Sequence, residues 1–289
     1  MNYLCNTFRS LAFRTWDVLQ KGRGVDYQIG EETITDFNVL ELKTRHSGKI
    51  FTKTFTKAKE GKTGADWEWW FRDKNGLWLG FRVQAKIIEL ESSKFAHLHY
   101  YTKKKGANGN SFRVYQSDKL VERALNNSPK RIPLYCLYAQ WPNNSVRINW
   151  RCGTFGPTPE SFGCSILSAF KVINFRNQNE TNKLSEIIND LSPWHCLVCC
   201  QGYSYNNDGL VTKIYNYWRN VILERDKDEV FSNQIDKESE GDGISSELIE
   251  AYNNIEPTRN PPSYVIGLLN NELEEPPTDL NRVTIFSEE

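Results

Sequence analysis

Three polar side chains near two predicted strands have the chemistry to hold a divalent cation and activate water. Asp66 stands at the head of the tryptophan-rich run 67–71, and Gln84 and Lys86 lie in the next apolar run. Side chains alternate along a strand, so Gln84 and Lys86 face the same way, and a hairpin turning near Gly76 can bring Asp66 close to both. A carboxylate and an amide oxygen beside a lysine suit a hard divalent cation and a water nucleophile.

Each of these residues also has a purely structural interpretation. Asp66 could simply start a strand, Gln84 could be a hydrogen-bonded polar residue at a sheet edge, and Lys86 could be solvated. The neighbouring residues favour the functional interpretation. The tryptophans of one strand and the aliphatic residues of the other hold these polar groups close to a core, where polar groups need partners.

The pattern of Asp66, Gln84 and Lys86 resembles the PD-(D/E)xK restriction-endonuclease-like superfamily, in the variant with Gln in place of the second acid. More narrowly, several strings resemble a bacterial family of unknown function suspected of a role in phage defence. They are EETITD (31–36), GADWEWWF (64–71), VQAK (83–86), PLY (133–135) and PWHC (193–196). The resemblance covers most of the chain and implies metal-dependent phosphodiester cleavage.

The resemblance also implies roles for individual residues. Asp66 is the central ligand of Mg²⁺ or Mn²⁺, the Gln84 side-chain oxygen is a second ligand, and Lys86 positions or activates the attacking water. An acid on the helix before the first core strand often joins the metal site in this superfamily, and Glu32 is the choice here, with Asp36 as the fallback. Glu32 has a simpler interpretation as well, since an acid in the first turn stabilises a helix.

Charge is unevenly distributed along this chain of zero formal net charge. Residues 224–289 hold 17 of the 36 acidic and 5 of the 36 basic residues, which leaves a basic body of 1–223 with 19 acids and 31 bases. A basic body suits a polyanionic partner. The candidate nucleic-acid contacts are lysines of two predicted loops and one residue at a helix start: Lys57, Lys59, Lys62, Lys103, Lys104, Lys105 and Gln116.

The order of predicted helices and strands indicates an α/β fold with a mixed central sheet flanked by helices, and the resemblance implies that this sheet is restriction-endonuclease-like. Residues 1–223 form the nuclease-like domain, with its core at about 25–140, and residues 224–289 form an acidic linker and a helical or irregular appendage that docks back on the body. Helices are predicted at 2–20, 30–44, 116–125, 161–173 and 184–191, and strands at 49–55, 67–71, 81–86 and 132–138.

The seven cysteines favour a reducing cytoplasm over a disulfide scaffold. Cys196 and Cys199, next to His195, also raise the alternative of a structural zinc ion, with Cys152 and Cys164 as further ligands. Against it stand the single CxxC and the apolar residues within it, since cysteine is also a common core residue. No run of 18 apolar residues occurs, so no membrane span is expected.

Together with this resemblance, the sequence favours a cytoplasmic protein, and the resemblance implies a metal-dependent nuclease in anti-phage defence. We expect it to act on DNA rather than RNA, as a homodimer or with a defence partner protein. The main alternative is a catalytically silent nucleic-acid-binding or interaction module, with the tryptophan-rich strand as structural core. A third interpretation is a metal-dependent enzyme that acts on nucleotides rather than on polymers.

Overall fold

The structure, a computed structural model, is an α/β protein in which a mixed sheet of seven strands is flanked by helices, as expected from the sequence. It describes residues 3–54, 67–105, 109–142, 146–149, 152, 155–156, 158–199, 208–232, 244–272 and 280–288. Within that part of the chain, no helix has the length and apolar character needed to cross a bilayer.

Nine strands are present among the described residues. They are β1 (Ile50–Thr54), β2 (Trp67–Arg72), β3 (Trp78–Ile87), β4 (Tyr101–Lys105), β5 (Ser111–Tyr115), β6 (Ile132–Tyr138), β7 (Cys164–Ser168), β8 (Ser192–Pro193) and β9 (Arg282–Ser287). The main sheet has the order β1-β9-β2-β3-β6-β7-β8, and β4 and β5 form a separate hairpin. The pairs β2–β9 and β3–β6 are parallel and the others are antiparallel.

The helices pack on both faces of the main sheet. They are α1 (Tyr3–Gly24), α2 (Glu31–Arg45), α3 (Gln116–Leu125), α4 (Ala169–Asn177), α5 (Leu184–Ile187), α6 (Cys196–Cys199), α7 (Leu210–Tyr217), α8 (Glu224–Asp226), α9 (Ser246–Asn253) and α10 (Ser263–Leu269). Wider π-helical turns (Trp218–Leu223 and Lys227–Phe231) continue α7 and α8.

The tryptophan-rich strand β2 is buried on both sides, which explains its composition. Trp69 stacks on Trp194 with ring centroids 5.5 Å apart, on the face that α1 covers. Trp70 points to the other face and lies across Gly80 of β3. A Cβ atom at position 80 would meet the Trp70 ring at 2.7 Å, so the indole requires a glycine there.

Two segments differ from their predicted secondary structure. Residues 161–173, predicted as one helix, divide into a 3₁₀ turn (Pro159–Gly163), strand β7 and helix α4. Residues 101–105, part of the segment 100–110 predicted as a flexible basic loop, form strand β4 and pair with β5. In both places pairing with another segment of backbone decides the conformation, and local periodicity does not report such pairing.

The end of the chain is part of the main sheet. The sequence predicts an irregular or helical appendage after residue 223, but β9 lies between β1 and β2 and completes the sheet. Phe286 of β9 stacks on Phe71 of β2 at 4.7 Å. The segments 224–232 and 246–253, predicted as a mobile linker, are helical.

Candidate functional site

Gln84 and Lys86 lie side by side on one face of β3, near the middle of the main sheet. In the parallel pairing with β6, Gln84 is opposite Tyr135 and Lys86 is opposite Leu137. Both side chains are almost fully buried, with exposed fractions of 1% for Gln84 and 7% for Lys86. A strand position inside a sheet thus holds an amide and most of a lysine side chain away from bulk water.

The Lys86 ammonium makes no hydrogen bond or ion pair within the described part of the chain. By contrast, the other buried lysine, Lys171, makes an ion pair with Asp190 at 3.0 Å and a second one with Glu229. A buried cation without a counter-charge is unfavourable for folding, because it loses hydration and gains no partner in exchange.

Several predicted site residues lie outside the described residues. These are Asp66, the proposed central metal ligand, and Lys57, Lys59 and Lys62 of the predicted basic loop. Strand β2 begins at the next residue after Asp66, with Trp67 opposite Val83.

Glu32 lies in the first turn of α2, at the end of the sheet where β3 and β6 finish. Thr35 fixes α2 at this end of the sheet, because its hydroxyl is 2.9 Å from the Tyr138 hydroxyl of β6. Tyr138 is opposite Ile87 of β3. Ile87 points away from the face that carries Gln84 and Lys86, because strand side chains alternate. Glu32 thus shares the end of the sheet with Gln84 and Lys86 and approaches it from the other face.

The acidic residues near Glu32 on α2 differ in burial and in their ion pairs. Glu31 is half-buried, whereas Glu32 is exposed, so Glu31 is the first-turn acid that is closer to the sheet. Sequence reasoning passed over Glu31, although its place in the same helical turn could have suggested it. Asp36, the fallback for Glu32, makes an ion pair with Arg282 of β9.

Gln116 begins α3, which crosses the face of the sheet that carries Gln84 and Lys86. The Arg82 guanidinium of that face donates to the Arg123 carbonyl at 3.4 Å, and the Arg131 amide donates to the Ala124 carbonyl, so the last turn of α3 is fixed beside β3 and the segment before β6.

The Gln116 side chain is partly buried, and its oxygen Oε1 makes no hydrogen bond among the described residues. Its backbone amide donates to the Tyr100 carbonyl at 2.9 Å, which fixes the start of the helix. One turn further on, partial burial lowers the pKa of Lys119, and the nearby cations Lys104 and Arg123 lower it further. The start of α3 is therefore a region of positive potential.

The β4–β5 hairpin leads directly into α3 and is basic and aromatic. Lys103, Lys104 and Lys105 are exposed, and Arg113 of the opposing strand is exposed too. The hairpin also presents Phe112, of which 52% is exposed. At its base the Tyr101 and Tyr115 rings pack edge to face at 5.5 Å, and the Arg176 guanidinium lies 4.2 Å from the centre of the Tyr115 ring.

The cysteines are distributed differently from the sequence expectation. Cys199 is joined to Cys5 by a disulfide between α6 and α1, so the pair Cys196/Cys199 does not act as two thiols here. Cys164 lies apart from them, with its sulfur 3.5 Å from the Asn38 amide nitrogen and 3.3 Å from the Thr15 hydroxyl. Cys136, Cys152, Cys164 and Cys196 are thiols.

The fold and this site define an α/β protein that has a buried Gln-x-Lys pair on a central strand of a mixed sheet and a basic hairpin next to it. The chain belongs to a family of unknown function (DUF6615), whose family model matches residues 4–289. No curated protein and no solved structure matches the chain.

Proposed function

We propose that this protein is a metal-dependent phosphodiesterase that cleaves nucleic acid. The observation that carries the proposal is Lys86, a cation that is 93% buried, has no counter-charge among the described residues and lies next to the Gln84 amide on β3. A buried charge destabilises the folded state, so a protein that keeps one commonly uses it in binding or catalysis. A buried ammonium is suited to an anionic substrate.

The residue types fit Mg²⁺ or Mn²⁺, because these ions take oxygen ligands from carboxylates and amides. Gln84 and Asp66 would hold the ion, with Glu32 or Glu31 approaching from α2. When bound, the ion would supply Lewis-acid polarisation of the scissile phosphate. Gln lowers the negative charge of the site relative to an acid at the same position, so we expect weaker metal binding than in a site with two carboxylates.

Lys86 would orient the attacking water through its N–H groups and offset the charge that develops on the phosphate oxygens. The three donors of an ammonium allow both contacts from one position. Gln116, whose side-chain oxygen makes no hydrogen bond among the described residues, would accept a hydrogen bond from the water or from the substrate.

The β4–β5 hairpin would hold the nucleic acid. Its exposed lysines suit backbone phosphates, and Phe112 and Tyr100, which are 52% and 50% exposed, are rings on which bases can stack. A two-stranded ribbon also fits the major groove of B-DNA, which favours duplex DNA over RNA as the substrate. We place the activity in the cytoplasm and in anti-phage defence, where a partner protein or a second copy of the chain would act with it.

Kinetics and binding measured on the same Lys86→Ala protein test this function. We expect the cleavage rate to fall by roughly 10²–10³-fold, because one preorganised donor to the transition state is lost, while binding of the same oligonucleotide hardly changes. Lys74→Ala is the matched control, since Lys74 is exposed at the turn between β2 and β3. Equal loss in both variants, or loss of binding with loss of cleavage, would contradict the assigned role.

The alternative of a catalytically silent binding module is favoured by the same hairpin, which would bind nucleic acid with or without an active site. The two functions differ in the wild type, because a silent module binds oligonucleotides and leaves them intact in Mg²⁺ and Mn²⁺. An enzyme that acts on nucleotides would cleave mononucleotides faster than oligonucleotides and would not need the hairpin.

A further inference from the structure

A second cluster of chemically reactive side chains lies on the opposite side of the protein's core from the Gln84–Lys86 pair. It consists of Cys152, His195 and Cys196, whose ligand atoms all lie within 4.8 Å of one another. His195 and Cys196 are fully buried, and Cys152 is partly exposed. Three soft or borderline ligands therefore converge from two segments that are distant in the chain.

We infer that Cys152, His195 and Cys196 bind a zinc ion. In a tetrahedral site with Zn–S bonds of about 2.3 Å and Zn–N bonds of about 2.0 Å, neighbouring ligand atoms are roughly 3.5–3.8 Å apart. The ligand atoms of the three side chains lie within 4.8 Å of one another, so small side-chain movements bring them to the spacing of a zinc site. Two thiolates and an imidazole are a donor set that zinc prefers over Mg²⁺ or Ca²⁺.

The contacts around the cluster are those of a metal-ligand environment. The Phe155 amide donates a hydrogen bond to the Cys152 sulfur at 3.4 Å, as amides do to thiolate ligands of metals, and such bonds orient the ligand. The Phe155 ring packs edge to face on His195 at 5.6 Å, and the Arg9 guanidinium lies 4.6 Å from the centre of the same ring. The Cys152 segment is thus held against α1 and the imidazole.

The turn before α6 is what brings His195 and Cys196 to one point. Residues adjacent in a strand would point to opposite faces, but Trp194 and His195 form a turn between β8 and α6. The nearby thiol of Cys199 is occupied by the disulfide with Cys5, so Cys152, His195 and Cys196 are the three protein ligands that the described residues supply.

A structural role fits this burial better than a catalytic one. The Cys196 sulfur and the His195 ring are fully buried, so a substrate has no direct approach to a Cys–His nucleophile pair. The ion would instead fasten the segment at Cys152 to the start of α6, which the disulfide fastens to α1. This site is independent of the proposed nuclease function, and its ligands are not among the residues assigned to that function.

The test is the metal content of the full chain, purified anaerobically without chelators and without added reductant, so that the Cys5–Cys199 disulfide is kept, and measured by mass spectrometry. We expect about one zinc ion per chain in the wild type and less than about a tenth of that in a Cys152→Ala/Cys196→Ala double variant. Cys164→Ala is the matched control, because Cys164 is a buried thiol outside the cluster and should keep the full zinc content.

A second measurement keeps the test valid if the double variant does not fold. Co²⁺ added to chelator-treated wild type should give a sulfur-to-metal charge-transfer band, and Cys152→Ala alone, at a partly exposed position, should weaken it. The inference is overturned by a folded wild type that contains no zinc and gives no such band. Zinc retained in the double variant, or a Cys152–Cys196 disulfide in protein kept anaerobic, would overturn it too.

Discussion

Glu68 and Lys86 are buried charged side chains on one face of the main sheet, and the protein accommodates them in different ways. Glu68 of β2 accepts hydrogen bonds from Trp70, Arg131 and Tyr264, all at its Oε1 atom, at 2.9, 2.8 and 2.7 Å. Lys86 has no comparable partner among the described residues. Glu68 is thus held by three hydrogen bonds of the fold, whereas the described residues offer Lys86 no such bond.

This contrast predicts that Lys86 reduces stability. Replacing Lys86 by Met, a side chain of similar length without the charge, should raise the free energy of unfolding by about 1–2 kcal/mol, because the uncompensated cation is removed. Urea denaturation monitored by tryptophan fluorescence measures the change. Lys74→Met, at an exposed site, should stay within about 0.5 kcal/mol of the wild type. A Lys86→Met protein that is clearly less stable would show that the ammonium stabilises the fold.

Asp226 gives a pH dependence at the residue scale. Burial raises the pKa of this carboxyl from an ordinary value of 3.8 to about 6, although Tyr252 donates a hydrogen bond to it at 3.0 Å. The folded state then holds the proton more tightly than the unfolded state. The contribution of Asp226 to the free energy of unfolding is therefore greatest below pH 4 and falls as the pH rises through 6. The loss from this group is about 3 kcal/mol.

Asp226→Asn tests that dependence, since asparagine does not titrate. Denaturation curves from pH 4 to 8 should show the stability of the wild type declining relative to the variant, with most of the change between pH 4 and 6. A constant difference between the two proteins over this range would mean that Asp226 titrates normally when folded. Comparing the two proteins at each pH cancels the contributions of all other groups.

Elements are positioned by a few polar anchors that cross between them. Glu68 and Arg131, with side-chain exposures of 1% and 6%, connect β2 to the segment before β6. The Tyr264 hydroxyl of α10 binds Glu68, which fixes this late helix against the sheet. Burial raises the pKa of Tyr264, and the Glu68 charge raises it further, so the hydroxyl stays protonated and donates.

Removing the charge of Glu68 should therefore loosen α10. Glu68→Gln leaves Arg131 buried without its counter-charge, and we expect a loss of about 3–5 kcal/mol in the free energy of unfolding. Glu256→Gln is the control, since the Glu256–Arg219 pair is 64% and 52% exposed and should contribute less than about 1 kcal/mol. Similar losses from the two variants would mean that the buried pair is no stronger than a surface pair.

The β4–β5 hairpin makes a prediction about salt. Replacing Lys103, Lys104 and Lys105 by Ala should weaken duplex DNA binding by roughly 10–100-fold at low salt and reduce the slope of log K against log salt by about 2–3. Fluorescence anisotropy across a salt series measures both quantities. The charge-matched control replaces three exposed lysines elsewhere, Lys21, Lys43 and Lys74. An equal effect of both triple variants would indicate attraction by net charge and no role for the hairpin.

Over the whole molecule, the sheet joins residues from both ends of the chain. Strand β9 lies between β1 and β2, and the Tyr3 hydroxyl of α1 donates to the Ser287 carbonyl at 2.5 Å. A parallel strand supplied by the last residues of a chain is a contact of very long sequence separation. It explains why the C-terminal segment could not be recognised from its own short apolar run, Val283–Phe286, as a component of the main sheet.

The features that could be predicted from the sequence are those set by residues close together in the chain. Alternation on β3 placed Gln84 and Lys86 on one face, and periodicity predicted α1, α2, α3 and β6 within a few residues of their bounds. The convergence of Cys152 with His195, and the position of Gln116 beside β3, depend on packing between distant segments. Strand β7 was predicted as helix because its pairing with β6 overrides the periodicity of an apolar run.

The most direct test of the central claim is a cleavage assay of the wild-type chain. Plasmid DNA, single-stranded DNA and RNA are each incubated with Mg²⁺, Mn²⁺ or EDTA, beside Asp66→Ala and Lys86→Ala proteins. A metal-dependent nuclease cuts at least one substrate, duplex DNA first, in Mg²⁺ or Mn²⁺, fails to cut it in EDTA, and loses the activity in both variants. A folded wild type that binds the same DNA and leaves every substrate intact in both metals would contradict the account.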